Sequence, residues 1–230
     1  MPDRTRTREL AAEFIRKGDP LGWFEALYQE AESGDGIVPW ADQEPNPRLL
    51  EFWKARQLET AGKRALVVGS GFGDDAEQLA AWGFETTGFD ISKTAIEATK
   101  KRYPETDVEY VVADLFDPPQ SWLHAFDFVL EIYTVQALPA QLRPGAIGKI
   151  AQFVAPGGRL LVIARGRAAD EPEGKGPPWP LMRAELDGFR RAGLEEEVFE
   201  DYAEPEPPWV RRFRALYLRA EPAARSGSHR

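Results

Sequence analysis

The stretch "RALVVGSGFGDDAEQL", residues 64–79, carries three kinds of sequence in direct succession. Ala65–Val68 form an apolar run too short for a helix and rich in β-branched residues, which reads as a buried strand. Glycines follow at 69, 71 and 73. Such a turn reverses sharply and lets a ligand approach the backbone with no Cβ in the way. Asp74 and Asp75 then open "DDAEQLAAWG", a helical pattern that stops at Gly83, and carboxylates suit the positive end of a helix. Strand, glycine turn and helix together predict the first unit of a parallel sheet whose ligand lies beyond the strands' carboxyl ends.

The same alternation continues downstream. "FETTGFD" (84–90), "DVEYVVAD" (107–114), "AFDFVLEIY" (125–133) and "RLLVIARG" (159–166) read as strands. Between them lie the helical segments "SKTAIEATKKRY" (92–103), with Ser92 as N-cap, and "AIGKIAQFVAPGG" (146–158), with a glycine stop. After a helix at 182–193, "LEEEVFEDY" (194–202) and "WVRRFRALYLRA" (209–220) read as two antiparallel strands. The expected fold is therefore α/β: a Rossmann-like seven-stranded sheet, mostly parallel with the last strand antiparallel, and helices on both faces. Residues 1–60 read as helical with a break at "ESGDGIVPW" (32–40). The expected division is a helical cap at 1–60, a main domain at 61–220 and a disordered tail at 221–230.

Composition narrows the function. The 230 residues carry a formal charge of −9, which argues against a nucleic-acid or anionic-membrane surface. "RTRTR" (4–8) and "RGR" (165–167) are the dense basic spots, and they read as solvated ends and loops. There is no cysteine, and the two histidines are His124 and His229, so a thiolate nucleophile, a His-based triad and a Cys/His metal site are not expected. No apolar run approaches the roughly 18 residues of a membrane helix, and the expectation is a cytoplasmic monomer acting on a small molecule.

Two more strand ends sharpen the ligand. Asp90 closes the second strand, placed to accept the two hydroxyls of a ribose. Asp114 closes the third, on the adenine side, with Leu115 and Phe116 as apolar cover. Where a dinucleotide turn has its third glycine, this chain has Asp74. Two carboxylates there repel a pyrophosphate but suit the cationic S-adenosylmethionine. Simple capping is the alternative role for Asp74 and Asp75, and an NAD(P)-dependent oxidoreductase or a non-catalytic cofactor-binding module is the alternative for the chain.

"LVVGSGFGDD", "FETTGFDIS", "VEYVVADLF" and "FDFVLEIYTVQALP" resemble class I S-adenosylmethionine-dependent methyltransferases. "GWFEALY…VPW", "TVQALPAQLRPGAIGKI" and "GKGPPWPLMRAEL" resemble, more narrowly, the thiopurine S-methyltransferase-like family. That resemblance implies methyl transfer to a small thiol or other soft nucleophile, yielding S-adenosylhomocysteine, with O- or halide methylation as alternatives. It implies cofactor contacts at Trp23, Trp40, Gly69, Gly71, Gly73, Asp90, Ile91, Asp114, Leu115 and Glu131. On the substrate side it implies Tyr28, Tyr133, Arg143, Pro178 and Trp179, with Tyr28, Tyr133 and Glu131 as candidates for any acid–base role. No metal is implied.

Overall fold

The computed structural model describes residues 4–56, 58–204 and 209–222, so the tail expected at 221–230 lies outside the described residues from 223 onward. Strands β1 (Arg64–Val68), β2 (Glu85–Asp90), β3 (Glu109–Val112), β4 (Phe126–Ile132), β5 (Val154–Arg167), β6 (Leu181–Met182), β7 (Glu195–Ala203) and β8 (Arg211–Leu218) form one sheet. Its order is β3-β2-β1-β4-β5-β8-β7, with β6 beside β5 off that path. β1 to β5 run parallel, and β8 is antiparallel to both of its neighbours. The two-residue β6 is an addition to the seven strands read from sequence.

Alternate residues explain why the strands read as continuously apolar. Leu66 and Val68 enter one core cluster, with Val129, Leu160 and Val162. Ala65 and Val67 enter another, with Phe128, Leu130, Leu161 and Ile163. Each strand thus buries both faces, which a parallel sheet covered by helices requires. Helix α6 (Arg143–Phe153) and α7 (Arg183–Arg191) cover the first face; α3 (Pro47–Arg56) and α4 (Asp74–Ala81) cover the second. The expected glycine stop at 157–158 does not end α6. The helix ends at Phe153, and Val154 already pairs with Phe126 in the sheet, so strand pairing overrides the local helix signal.

Helices α1 (Thr5–Arg16) and α2 (Gly22–Glu32) pack on each other and on α5 (Lys93–Arg102) through Leu10, Trp23, Leu27, Tyr28 and Ala95. The polar anchor is Glu25. Its carboxylate accepts from the hydroxyls of Ser92 (2.6 Å) and Thr94 (2.7 Å) and from the Thr94 N–H (3.2 Å). Ser92 Oγ also caps α5 by accepting from the Ala95 N–H. No helix among the described residues is long and apolar enough to cross a membrane.

Glu25→Ala should therefore loosen α1 and α2 from the sheet. The expected cost is about 2 kcal/mol, roughly a 4–8 °C fall in melting temperature for a chain of this size, measured by circular dichroism. A melting curve indistinguishable from wild type would remove Glu25 as the anchor.

Candidate active site

The sheet order reverses between β1 and β4, and a cavity of about 340 Å³ opens at the carboxyl ends of the strands there. This is the position and size of a small-molecule site in an open α/β sheet. Its floor is the glycine turn. Gly69 sits at φ 64° with the Thr134 side chain where a Cβ would go. Gly73, at φ 87°, lies beneath the turn with Tyr110 and Thr99 pressed against it, so a side chain fits at neither position.

Asp90 holds that turn. One carboxylate oxygen accepts from the Gly71 N–H (3.0 Å) and the other from the Ser92 N–H (2.9 Å). Burial outweighs these bonds and pushes its pKa up to about 6. Ile91, Asp114 and Leu115 also line the cavity. Asp114 accepts from the Phe116 N–H (2.8 Å), fixing the turn after β3.

The two aspartates of the opening stretch both line the cavity and stand in the first turn of α4, whose N-cap is Gly73. Asp74 pairs with Arg102 (2.7 Å) and accepts from the Tyr103 hydroxyl (3.1 Å). Asp75 accepts from the Asn46 N–H (2.7 Å), and burial pushes its pKa up to about 6. They tie α5 and the segment before α3 to the glycine turn, a role distinct from simple capping.

Aromatic rings roof the cavity. Tyr28 and Trp40 line it, and Trp40 Nε1 donates to the Tyr28 hydroxyl (3.2 Å). Burial, followed by the nearby Asp90 charge, raises the Tyr28 pKa, so it stays a neutral phenol. Trp23 does not reach the cavity; it is fully buried behind the roof, stacked on Phe24, which does line it.

At the end of β4, Tyr133 lines the cavity in a left-handed conformation, φ 66°, an uncommon state for a non-glycine residue that tends to mark functional positions. Glu131 lies behind that turn, fully buried. Its Oε1 accepts from the Val135 N–H (3.0 Å), its Oε2 has no partner among the described residues, and burial pushes its pKa up to about 7. Pro178 lines the cavity, whereas Trp179 is absent from its wall and donates its backbone N–H to the carbonyl of Gln136, which does line it (2.7 Å).

Arg143 requires a correction. Expected beside the substrate, with a surface charge as the alternative, it is 2% exposed and absent from the cavity wall. Its guanidinium meets Glu173 and Glu185, each at 2.6 Å, and donates to the Leu138 carbonyl. Two carboxylates have claimed it as a structural tie. His124 is also remote, exposed before β4 with Nδ1 against the Val154 carbonyl.

The cations that do line the cavity are Arg4, Arg48, Arg165 and Arg212. Arg4 comes from "RTRTR" and Arg165 from "RGR", the two runs expected to be solvated. Arg6 and Arg8 are exposed as expected, whereas Arg4 and Arg165 depart from the expectation because both enter one cavity wall. The signal was visible as charge, but its meeting point is set by tertiary packing.

A sequence profile of the thiopurine S-methyltransferase family matches residues 30–215 of this chain. The chain belongs to the thiopurine S-methyltransferase family. Among relatives, a probable thiol methyltransferase 2 of Arabidopsis thaliana is 28% identical over 71% of this chain and 74% of its own. Thiocyanate methyltransferase 1 of Brassica oleracea is 24% identical over 83% and 84%. The fold also matches a structure solved for the conversion of a disulfide bond into a thioacetal group during echinomycin biosynthesis (TM-score 0.69, 20% identity, 86% of this chain and 93% of that one). As a member of the thiopurine S-methyltransferase family, the protein is an S-adenosylmethionine-dependent enzyme that methylates a small molecule.

Burial raises the folded-state pKa values of Asp75, Asp90 and Glu131 to about 6, 6 and 7. The folded state then holds protons that the unfolded chain releases, so stability falls as pH rises from about 4 through 7. Unliganded protein should melt higher at pH 5.5 than at pH 7.5, and Glu131→Gln should flatten that slope. For Arg143, Arg143→Ala should cost about 3 kcal/mol in urea unfolding by stranding its two glutamates, while S-adenosylhomocysteine still binds. Loss of binding without loss of stability would return Arg143 to the site.

Proposed function

We propose that this enzyme transfers the methyl group of S-adenosylmethionine to the sulfur of a small thiol. The carrying observation is the cofactor end of the cavity, where Asp74, Asp75, Asp90 and Asp114 line the wall around a glycine turn. Four carboxylates disfavour a pyrophosphate and suit a cofactor bearing an ammonium and a sulfonium.

In this reading Asp90, which accepts from the Gly71 and Ser92 N–H groups, also accepts the ribose hydroxyls. Ile91 and Leu115 flank the adenine and Asp114 meets its edge. Gly69 and Gly71 leave room for the methionine portion, and Gly73 lets the turn form. Tyr28 and Trp40 cover the reacting end; Trp23 and Glu131 act indirectly, by backing the roof and by holding the turn that presents Tyr133. When bound, S-adenosylmethionine would supply an electrophilic methyl group to an acceptor that reacts as a thiolate, its proton already released to water and the S–CH3 bonding pair staying with the cofactor's sulfur. The chain's task is alignment and exclusion of water. Pro178, Tyr133 and the aromatic roof border the acceptor's space, with Trp179 bracing it.

Sulfur as acceptor is supported by the family and by relatives named as thiol and thiocyanate methyltransferases. It also agrees with a cavity wall that contains no histidine among the described residues, since a thiol near neutral pH needs little help from a base. Residues 1–60 act as the helical cap and 61–220 as the catalytic unit. The formal charge of −9 disfavours a nucleic-acid or anionic-membrane partner, and the proposed state is a cytoplasmic monomer.

S-adenosylhomocysteine should raise the melting temperature and NADH should not. Asp90→Ala should abolish the stabilisation by S-adenosylhomocysteine while the protein stays folded by circular dichroism. With methyl-labelled cofactor, label should pass to thiols in preference to matched phenols. Transfer to phenols alone would sink the sulfur assignment.

A further inference from the structure

Four guanidiniums line the cavity; Arg48 and Arg212 are paired with Glu51 and Glu204, whereas Arg4 and Arg165 are not paired among the described residues. Arg165, near the end of β5, is half-buried in the wall, and no carboxylate among the described residues pairs with its guanidinium. Burial, then the charges of Arg4 and Arg212, push its pKa down to about 10. Arg4, leading into α1, is likewise without a carboxylate partner among the described residues, its pKa lowered by burial and then by Arg8 and Arg212. Opposing carboxylates are few. Glu204 is committed to Arg212 (2.8 Å) and lies 3.6 Å from Arg48, and Asp42 and Glu44, also in the wall, are exposed. Tyr133 faces the same group, with the Arg212 guanidinium 5.2 Å from its ring.

A second observation is independent of charge. Thr7, in the first turn of α1, lines the cavity at 2% exposure with a buried Oγ1 that has no hydrogen-bond partner among the described residues. A buried hydroxyl without a partner is costly unless a ligand supplies one. A buried guanidinium without a counter-ion is costlier still.

We propose that Arg165, Arg4 and Thr7, with Arg212 behind them, form an anion subsite that binds a carboxylate of the methyl acceptor. The acceptor is then a thiol that also carries a carboxylate. This rests on the methyl-transfer reading above and adds the second functional group of its substrate. The carboxylate is bound unchanged before and after transfer; only the sulfur makes a bond. A planar guanidinium suits such a group because it donates two parallel hydrogen bonds to it.

The test separates the subsite from the transfer. Benzoate and benzamide are titrated by calorimetry into the protein saturated with S-adenosylhomocysteine, and 4-mercaptobenzoate and 4-mercaptobenzamide are compared as acceptors. Benzoate should bind at least about tenfold more tightly than benzamide, and 4-mercaptobenzoate should show a lower KM than its amide. Arg165→Gln should erase the benzoate preference, and Arg165→Lys should restore part of it. Arg4→Gln, at the chain's periphery, should weaken benzoate binding without disturbing the fold. Equal binding of benzoate and benzamide, or an unchanged preference in Arg165→Gln, overturns the subsite. Arg165-dependent benzoate binding with no methylation of either thiol upholds the subsite and overturns sulfur as the acceptor.

Discussion

The Asp90 carboxylate joins three parts of the molecule at one point. It ends β2, accepts the Gly71 N–H of the glycine turn and accepts the Ser92 N–H at the start of α5. Thr99 Oγ1 binds the Gly71 carbonyl from the other side, so the turn is gripped at both its donor and its acceptor. Ser92 passes the constraint on, because its hydroxyl donates to Glu25 of α2. The cofactor floor and the cap above it are therefore referenced to one buried charge. Burial without hydrogen bonds would neutralise that charge outright; the two backbone donors keep the pKa rise modest and leave acceptor capacity facing the cavity.

Around that corner the cavity is divided by charge. Asp90, Asp114, Asp74 and Asp75 sit at the ends of β2 and β3 and at the start of α4; the guanidiniums sit on β5, β8 and the N-terminal segments, with Glu204, Asp42 and Glu44 as the acids on their side. Asp74 is partly offset by Arg102, and Asp75 is tied to the Asn46 backbone. Neither is a free point charge, so the acidic field is fixed in place and does not collapse onto the nearest cation. On the other side, Arg212 is held by Glu204 while Arg165 and Arg4 point their charge at the cavity without such a partner among the described residues. Arg143, the arginine the sequence favoured, has been removed from this field by two glutamates.

How much was legible follows from which features are local. Strand and helix alternation is written into windows of ten residues, and both-face burial makes the strands of this sheet plainly apolar. Asp90 and Asp114 were legible because a strand's end is itself a local feature, and parallel order brings successive ends together. The convergence of Arg4 with Arg165 was not legible: the residues are far apart in the chain, and only the docking of α1 through Leu10 and Trp23 brings them to one wall. Trp23 was misplaced by one layer for a related reason. Adjacent Trp23 and Phe24 stack on each other, and sequence does not say which ring faces the cavity. The glycine stop after α6 failed because Val154 gains a partner in Phe126 of β4, a pairing no local window contains.

The division of charge has a chemical consequence. Transfer of a methyl from a sulfonium to a thiolate consumes one positive and one negative charge, so a polar environment that stabilises both reactants opposes the step. A protein gains by dispersing water around the reacting atoms while holding each reactant by charges that do not vanish. Here Tyr28, Trp40 and Phe24 line the same cavity as the fixed charges. Acids near a cationic cofactor and guanidiniums near an anionic acceptor bind through groups that survive the reaction. Reversing either end would repel a reactant, and moving the guanidiniums to the centre would stabilise the thiolate more than the transition state. The arrangement therefore spends its electrostatics on orientation and leaves the reacting centre dry.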